Sequence, residues 1–62
     1  MTESEVFSSA EKMRRTDGDR AAIEAALMAD KMLVRKDAIA HDNWKRITLA
    51  IRLLDEVKAD AS

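Results

Sequence analysis

The sequence predicts an all-α protein, a small three-helix bundle, and three observations indicate this class. Residues that favour helices (Ala, Leu, Met, Glu, Lys and Arg) dominate the 62-residue chain, and no proline interrupts them. No stretch alternates apolar and polar residues as a half-buried strand does. The chain also contains only one glycine, too few for a turn-rich β protein. We therefore expect a single helical domain over residues 1–62.

The first helix is predicted over residues 3–16. Thr2 and Glu5 have the spacing of a capping box, in which the hydroxyl and the carboxylate each accept from the other residue's backbone N–H. The apolar residues of this helix share one narrow sector: Val6, Phe7, Ala10 and Met13. This pattern is typical of a surface helix that buries a single stripe.

The second helix is predicted over residues 20–36. Gly18 favours the end of the first helix, because glycine readily adopts a positive φ. Asp19 is then expected to cap the second helix through its carboxylate, at the positive end of the helix dipole.

The end of the second helix has two candidate positions. One is Arg35-Lys36-Asp37, a basic helix end followed by an acidic cap, and the other is His41-Asp42-Asn43, three weak helix formers. We favour a break between residues 36 and 43, a third helix over 42–58 and a frayed tail over 59–62. The alternative is a helical hairpin with a long second helix that dimerises into a bundle, since the apolar phase continues to Leu54 and only Lys36 interrupts it.

The composition excludes several classes of protein. No apolar run approaches the roughly 18 residues of a membrane-spanning helix, and no cysteine is present for disulfides or thiolate metal sites. The net charge of -1 lacks the strong basic excess of a dedicated nucleic-acid binder. The acidic, polar start does not resemble a signal peptide, so we expect a cytoplasmic protein with no membrane partner.

The second and third helices carry apolar arcs wider than a one-sided helix needs. One narrow first helix is too small to cover both arcs, so part of this surface is expected to bind a partner. The partner is a second copy, or a larger protein that this chain serves as an accessory subunit or inhibitor. The predicted interface combines an alanine- and methionine-rich stripe with a leucine pair: Ala22, Ala25, Met28, Ala29, Met32, Leu49 and Leu53.

A basic cluster with one aromatic residue surrounds the uncertain break in the helices. It suggests an alternative function as a dimeric nucleic-acid-binding regulator, because an aromatic ring stacks on a base while cations hold phosphates. A surface that docks an acidic protein is the preferred interpretation, because two aspartates lie within the cluster. The cluster comprises Arg35, Lys36, Trp44, Lys45 and Arg46.

Nothing in the sequence indicates catalysis, and we expect neither an enzyme nor a cofactor. The sole histidine, His41, stands four residues after Asp37, which is helical ligand spacing, but one such pair is too few for a metal site. Asp30 lies on an apolar edge of the second helix. It is expected either to pair with a base or the Trp44 indole, or to lie at a solvated rim.

Overall fold

The computed structural model describes the backbone of residues 1–61 and the side chains of residues 1–57. This described part of the chain is all-helical and contains no β-strand. A short 3-10 turn, Gly18–Arg20, separates the first two of its α-helices. The α-helices are α1 (Glu3–Asp17), α2 (Ala21–Val34) and α3 (Ala38–Ala61).

The capping box predicted at the start of α1 is confirmed. The Thr2 hydroxyl accepts from the Glu5 N–H at 3.2 Å, and the Glu5 carboxylate accepts from the Thr2 N–H at 2.9 Å. The bond from the Thr2 backbone N–H, followed by the bond with the Thr2 side chain, lowers the pKa of Glu5. The two residues thus satisfy backbone donors that the first helical turn leaves free.

Gly18 ends α1 at a positive φ of 56°, as its position in the sequence predicts. Its N–H donates to the Arg14 carbonyl. The predicted cap at Asp19 is wrong, because Asp19 lies inside the 3-10 turn and the residue that precedes α2 is Arg20. The Ala21 N–H donates to the Gly18 carbonyl, so α2 begins at Ala21 with no side-chain cap.

Helix covers two stretches of the sequence. Residues 3–34 are helical throughout, with the turn at Gly18–Arg20 between α1 and α2, and residues 38–61 form the second stretch. Both α1 and α2 pack against α3. The three-helix bundle is therefore not confirmed and the helical hairpin fits the described chain, but no helix runs through Lys36 as that alternative expected. The long helix is α3, which begins at Ala38, before the predicted start at 42.

The loop of the hairpin lies at the first of the two candidate breaks, residues 35–37. Lys36 adopts a positive φ of 61°, its N–H donates to the Leu33 carbonyl, and the Asp37 N–H donates to the Met32 carbonyl. These two bonds form a Schellman motif, with lysine where glycine is usual. The Asp37 carboxylate then accepts from the Ala40 N–H at 3.0 Å and so caps α3.

The core is small and is built from all three helices. Ile51 is its largest fully buried side chain, and small or β-branched residues surround it. The buried cluster comprises Val6, Ala10, Ala21, Ala25, Ile47, Ala50 and Ile51. The His41 Nδ1–H donates to the Ala29 carbonyl at 2.7 Å, which joins α3 to α2. Arg14 pairs with Asp55 at 2.9 Å, which joins α1 to α3.

None of the helices, over the described residues, is both long enough and apolar enough to span a membrane.

Candidate protein interface

The seven residues of the predicted interface separate into two groups. On α2, Ala25, Ala29 and Met32 are buried within the single chain. Ala22 and Met28, also on α2, are half-buried. On α3, in contrast, Leu49 is 61% exposed and Leu53 is 50% exposed.

The alanine stripe of α2 packs inside the chain because its side chains are the smallest available. Ala21 and Ala25 are fully buried in the cluster that contains Ile47 and Ile51 of α3. Small residues let two helix backbones approach closely, and that approach brings the Ala29 carbonyl to the His41 ring. The stripe therefore serves intrachain packing, and a partner reaches it only if α2 and α3 separate.

Leu49 and Leu53 form an exposed pair on the outer side of α3. They are four residues apart and so lie on one face, directed away from Ile47 and Ile51. This pair borders a groove of about 390 Å³ between α1 and α3. Most residues that line this groove are apolar, and the two charged ones are Glu3 and Arg46. Its apolar lining is Val6, Phe7, Leu49, Ala50 and Leu53.

A second groove of about 270 Å³ runs along the other side of Leu49, between α2 and α3. Its lining is more polar and includes one acid, two bases and the histidine: Asp30, His41, Lys45 and Arg52. Asp30 is exposed here, so it lies at a solvated rim rather than in the core. Leu49 is thus a ridge with an apolar groove on its α1 side and a charged groove on its α2 side.

The outer side of α2 carries a second exposed apolar pair, which the predicted interface omits. Ile23 is 56% exposed and Leu27 is 55% exposed, and Val34 continues the same stripe. The wide apolar arc of α2 was the available signal for this stripe. The arc alone does not tell which part faces inwards. Here Ala25, Ala29 and Met32 face the core, whereas Ile23, Leu27 and Val34 face solvent.

The residues of the basic cluster lie in different environments. Trp44 is half-buried and packs against the core, beside Met13. Arg46 pairs with Asp42 at 3.2 Å on the same helix, whereas Lys45 lines the groove between α2 and α3. Arg35 and Lys36 are exposed in the loop. The structure therefore does not bring the Trp44 ring and the four cations together on one surface.

The side chains of Asp37 and His41 both make hydrogen bonds within the chain. Asp37 caps α3, and the His41 ring donates to the Ala29 carbonyl. Among residues 1–57, no three His, Cys, Asp or Glu side chains are grouped so that they could hold a metal ion. Thr48, the one buried polar residue of this segment, donates its hydroxyl hydrogen to the Trp44 carbonyl at 2.8 Å.

Comparison with known proteins does not assign a function. No protein family, curated protein or solved structure matches the chain. The function must therefore be inferred from the surface of the chain itself.

Proposed function

We propose that the chain is a small cytoplasmic interaction module that binds protein through the outer side of α3. It acts as a homo-oligomer, or as an accessory subunit or inhibitor of a larger protein. The observation that carries this proposal is the exposed pair Leu49 and Leu53, which borders an apolar groove between α1 and α3. Exposed apolar surface next to a groove is characteristic of protein interfaces.

The energetic argument depends on how little core the chain has. A domain of about 60 residues buries only ~60% of the surface that its unfolded chain exposes. Burying one leucine contributes roughly 1.5–3 kcal/mol, whereas the whole stability of a small domain is ~5 kcal/mol. Leu49 is 61% exposed and Leu53 is 50% exposed, so covering each of them contributes about half of that amount, which is still large on this scale.

The test is the mass of the protein in solution, measured by light scattering. We expect the wild type to exceed the mass of one chain, and the double variant Leu49→Asp/Leu53→Asp to have the mass of one chain. Ile23→Asp/Leu27→Asp is the matched control, because this pair has the same spacing and a similar exposure on the other arm of the hairpin. The control should retain the wild-type mass.

Other outcomes have defined meanings. A monomeric wild type would exclude the homo-oligomer. The accessory-subunit role would then require a partner protein in an affinity pull-down. The wild type and the α2 control should both retain this partner on the resin, and the α3 variant should not. Dissociation by the Ile23 and Leu27 changes alone would move the interface to α2. Retention of DNA on a filter that collapses with added salt would support the nucleic-acid regulator instead.

A further inference from the structure

The outer side of α3 carries a regular pattern that extends beyond the two leucines. Its members are spaced by four, three, four and three residues along the helix, as in the contact line of a coiled coil. We call this line the α3 seam: Asp42, Arg46, Leu49, Leu53 and Glu56. All but the leucines are charged, and all five side chains are exposed. The seam therefore has an apolar centre between charged ends.

The order of the charges decides which orientation of a second seam fits. The end nearer the loop presents Arg46 before the leucines, and the far end presents Glu56 after them. In a parallel pair, Arg46 would face Arg46 and Glu56 would face Glu56. In an antiparallel pair, each Arg46 faces a Glu56, and each Leu49 faces a Leu53. Like charges that face each other destabilise a pair, so the antiparallel arrangement is the complementary one for Arg46 and Glu56. Asp42 takes no part in this contact and pairs with Arg46 of its own chain.

We infer that a second copy of this chain covers the α3 seam in antiparallel orientation, with Arg46 of each copy opposite Glu56 of the other. This inference rests on the proposed function and specifies its partner. The arrangement has a two-fold axis between Leu49 and Leu53, so the same patch serves both copies, as in most dimers. Arg46 and Glu56 of the same chain do not pair with each other, because they are ten residues, or about 15 Å, apart along α3.

The surroundings of the seam favour a second copy displaced towards α1. On the α2 side, the groove beside the seam is lined by two cations, Lys45 and Arg52, and one acid, Asp30, so a second copy that presents the same cations would fit less well there. On the α1 side, the groove is lined by Val6 and Phe7 and accepts apolar side chains. Each copy's leucine ridge thus packs into the other's groove, as ridges pack into grooves between helices.

The test is a charge exchange followed by sedimentation of purified protein over a concentration series. We expect Arg46→Glu alone, or Glu56→Arg alone, to weaken self-association by about tenfold or more, because two attractive pairs become two repulsive ones. The double variant Arg46→Glu/Glu56→Arg should return to within about threefold of the wild type. Arg15→Glu makes the same charge change on an exposed position of α1 and should leave association unchanged.

The outcomes separate this inference from the proposed function. Arg46→Glu also removes the ion pair with Asp42, but the double variant keeps that loss, so its recovery reports on the contact between copies. A dimer that the leucine variant disrupts but that does not recover with the charge exchange would overturn the antiparallel pairing alone. A wild type that sediments as one chain would overturn both the pairing and the homo-oligomer. Circular dichroism of each variant verifies that the helices remain.

Discussion

At the scale of single residues, Gly18 has the backbone conformation that other residues least tolerate. With φ at 56° and ψ at -129°, it lies in a region essentially restricted to glycine. A Cβ added at Gly18 would meet no atom within 4 Å, so any effect of a side chain is due to the backbone alone. We predict that Gly18→Ala lowers the free energy of unfolding by about 1–3 kcal/mol, measured by urea denaturation.

D-alanine at position 18 is the control for this prediction, introduced by chemical synthesis of the 62-residue chain. A D-residue favours positive φ, so the D-alanine protein should be at least as stable as the wild type. Equal destabilisation by both forms of alanine would contradict the backbone explanation.

Lys36 is the opposite case, because its replacement by glycine should stabilise the protein. It holds a positive φ of 61° in the loop of the hairpin, where the left-handed conformation penalises a side chain with a Cβ. We predict that Lys36→Gly raises the free energy of unfolding by about 0.5–1 kcal/mol in a thermal melt. Lys12→Gly, inside α1, should instead lower it by about 1 kcal/mol. Destabilisation by both changes would contradict the prediction.

At the scale of helices, the contact between α2 and α3 depends on the small size of the alanines. Ala25 is fully buried against the cluster that contains Ile51. We predict that Ala25→Leu lowers the free energy of unfolding by about 1–3 kcal/mol, because the added atoms force the helices apart. Ala38→Leu, at an exposed alanine, should change it by less than about 0.5 kcal/mol. Nearly equal effects of the two changes in urea denaturation would argue against close packing.

The two ends of α1 were more predictable than the ends of α2 and α3. Thr2 with Glu5 and the positive φ of Gly18 follow from local chemistry, because a cap involves residues only a few positions apart. The loop at Lys36 was one of two alternatives, since neither glycine nor proline marks it. The early start of α3 follows from Asp37, whose cap overrides the weak helix propensity of the residues around Asp42.

The candidate site was predictable on α3 but not on α2. Leu49 and Leu53 form an edge separate from the main apolar face of α3, so projection of the helix placed them on the outside. On α2 the apolar arc extends almost all round, and periodicity alone does not orient it. The orientation is set by packing, which turns Ala25 inwards and leaves Ile23 and Leu27 outside.

At the scale of the whole molecule, stability and association are expected to be linked. A partner that binds only the folded chain stabilises it in proportion to the logarithm of its concentration. We predict that the melting temperature of the wild type rises with protein concentration, measured by circular dichroism. Leu49→Asp/Leu53→Asp should melt at a temperature that does not depend on concentration. A wild-type melting temperature that is constant over a hundredfold range would contradict this linkage.

The two tight connections also bear on how fast the chain folds. Gly18–Arg20 and residues 35–37 each join their helices through only three residues. The packing of α2 on α3 is therefore local in sequence, whereas the Arg14–Asp55 pair joins α1 to α3 across 41 residues. Proteins dominated by local contacts reach the native state within microseconds to milliseconds. Association between protein chains has a rate constant of about 10⁵–10⁷ M⁻¹s⁻¹, so at about 1 μM protein it takes roughly 0.1–10 s, which is slower than folding. We therefore expect the α2–α3 hairpin to form before two chains meet, so that docking joins surfaces that are already folded.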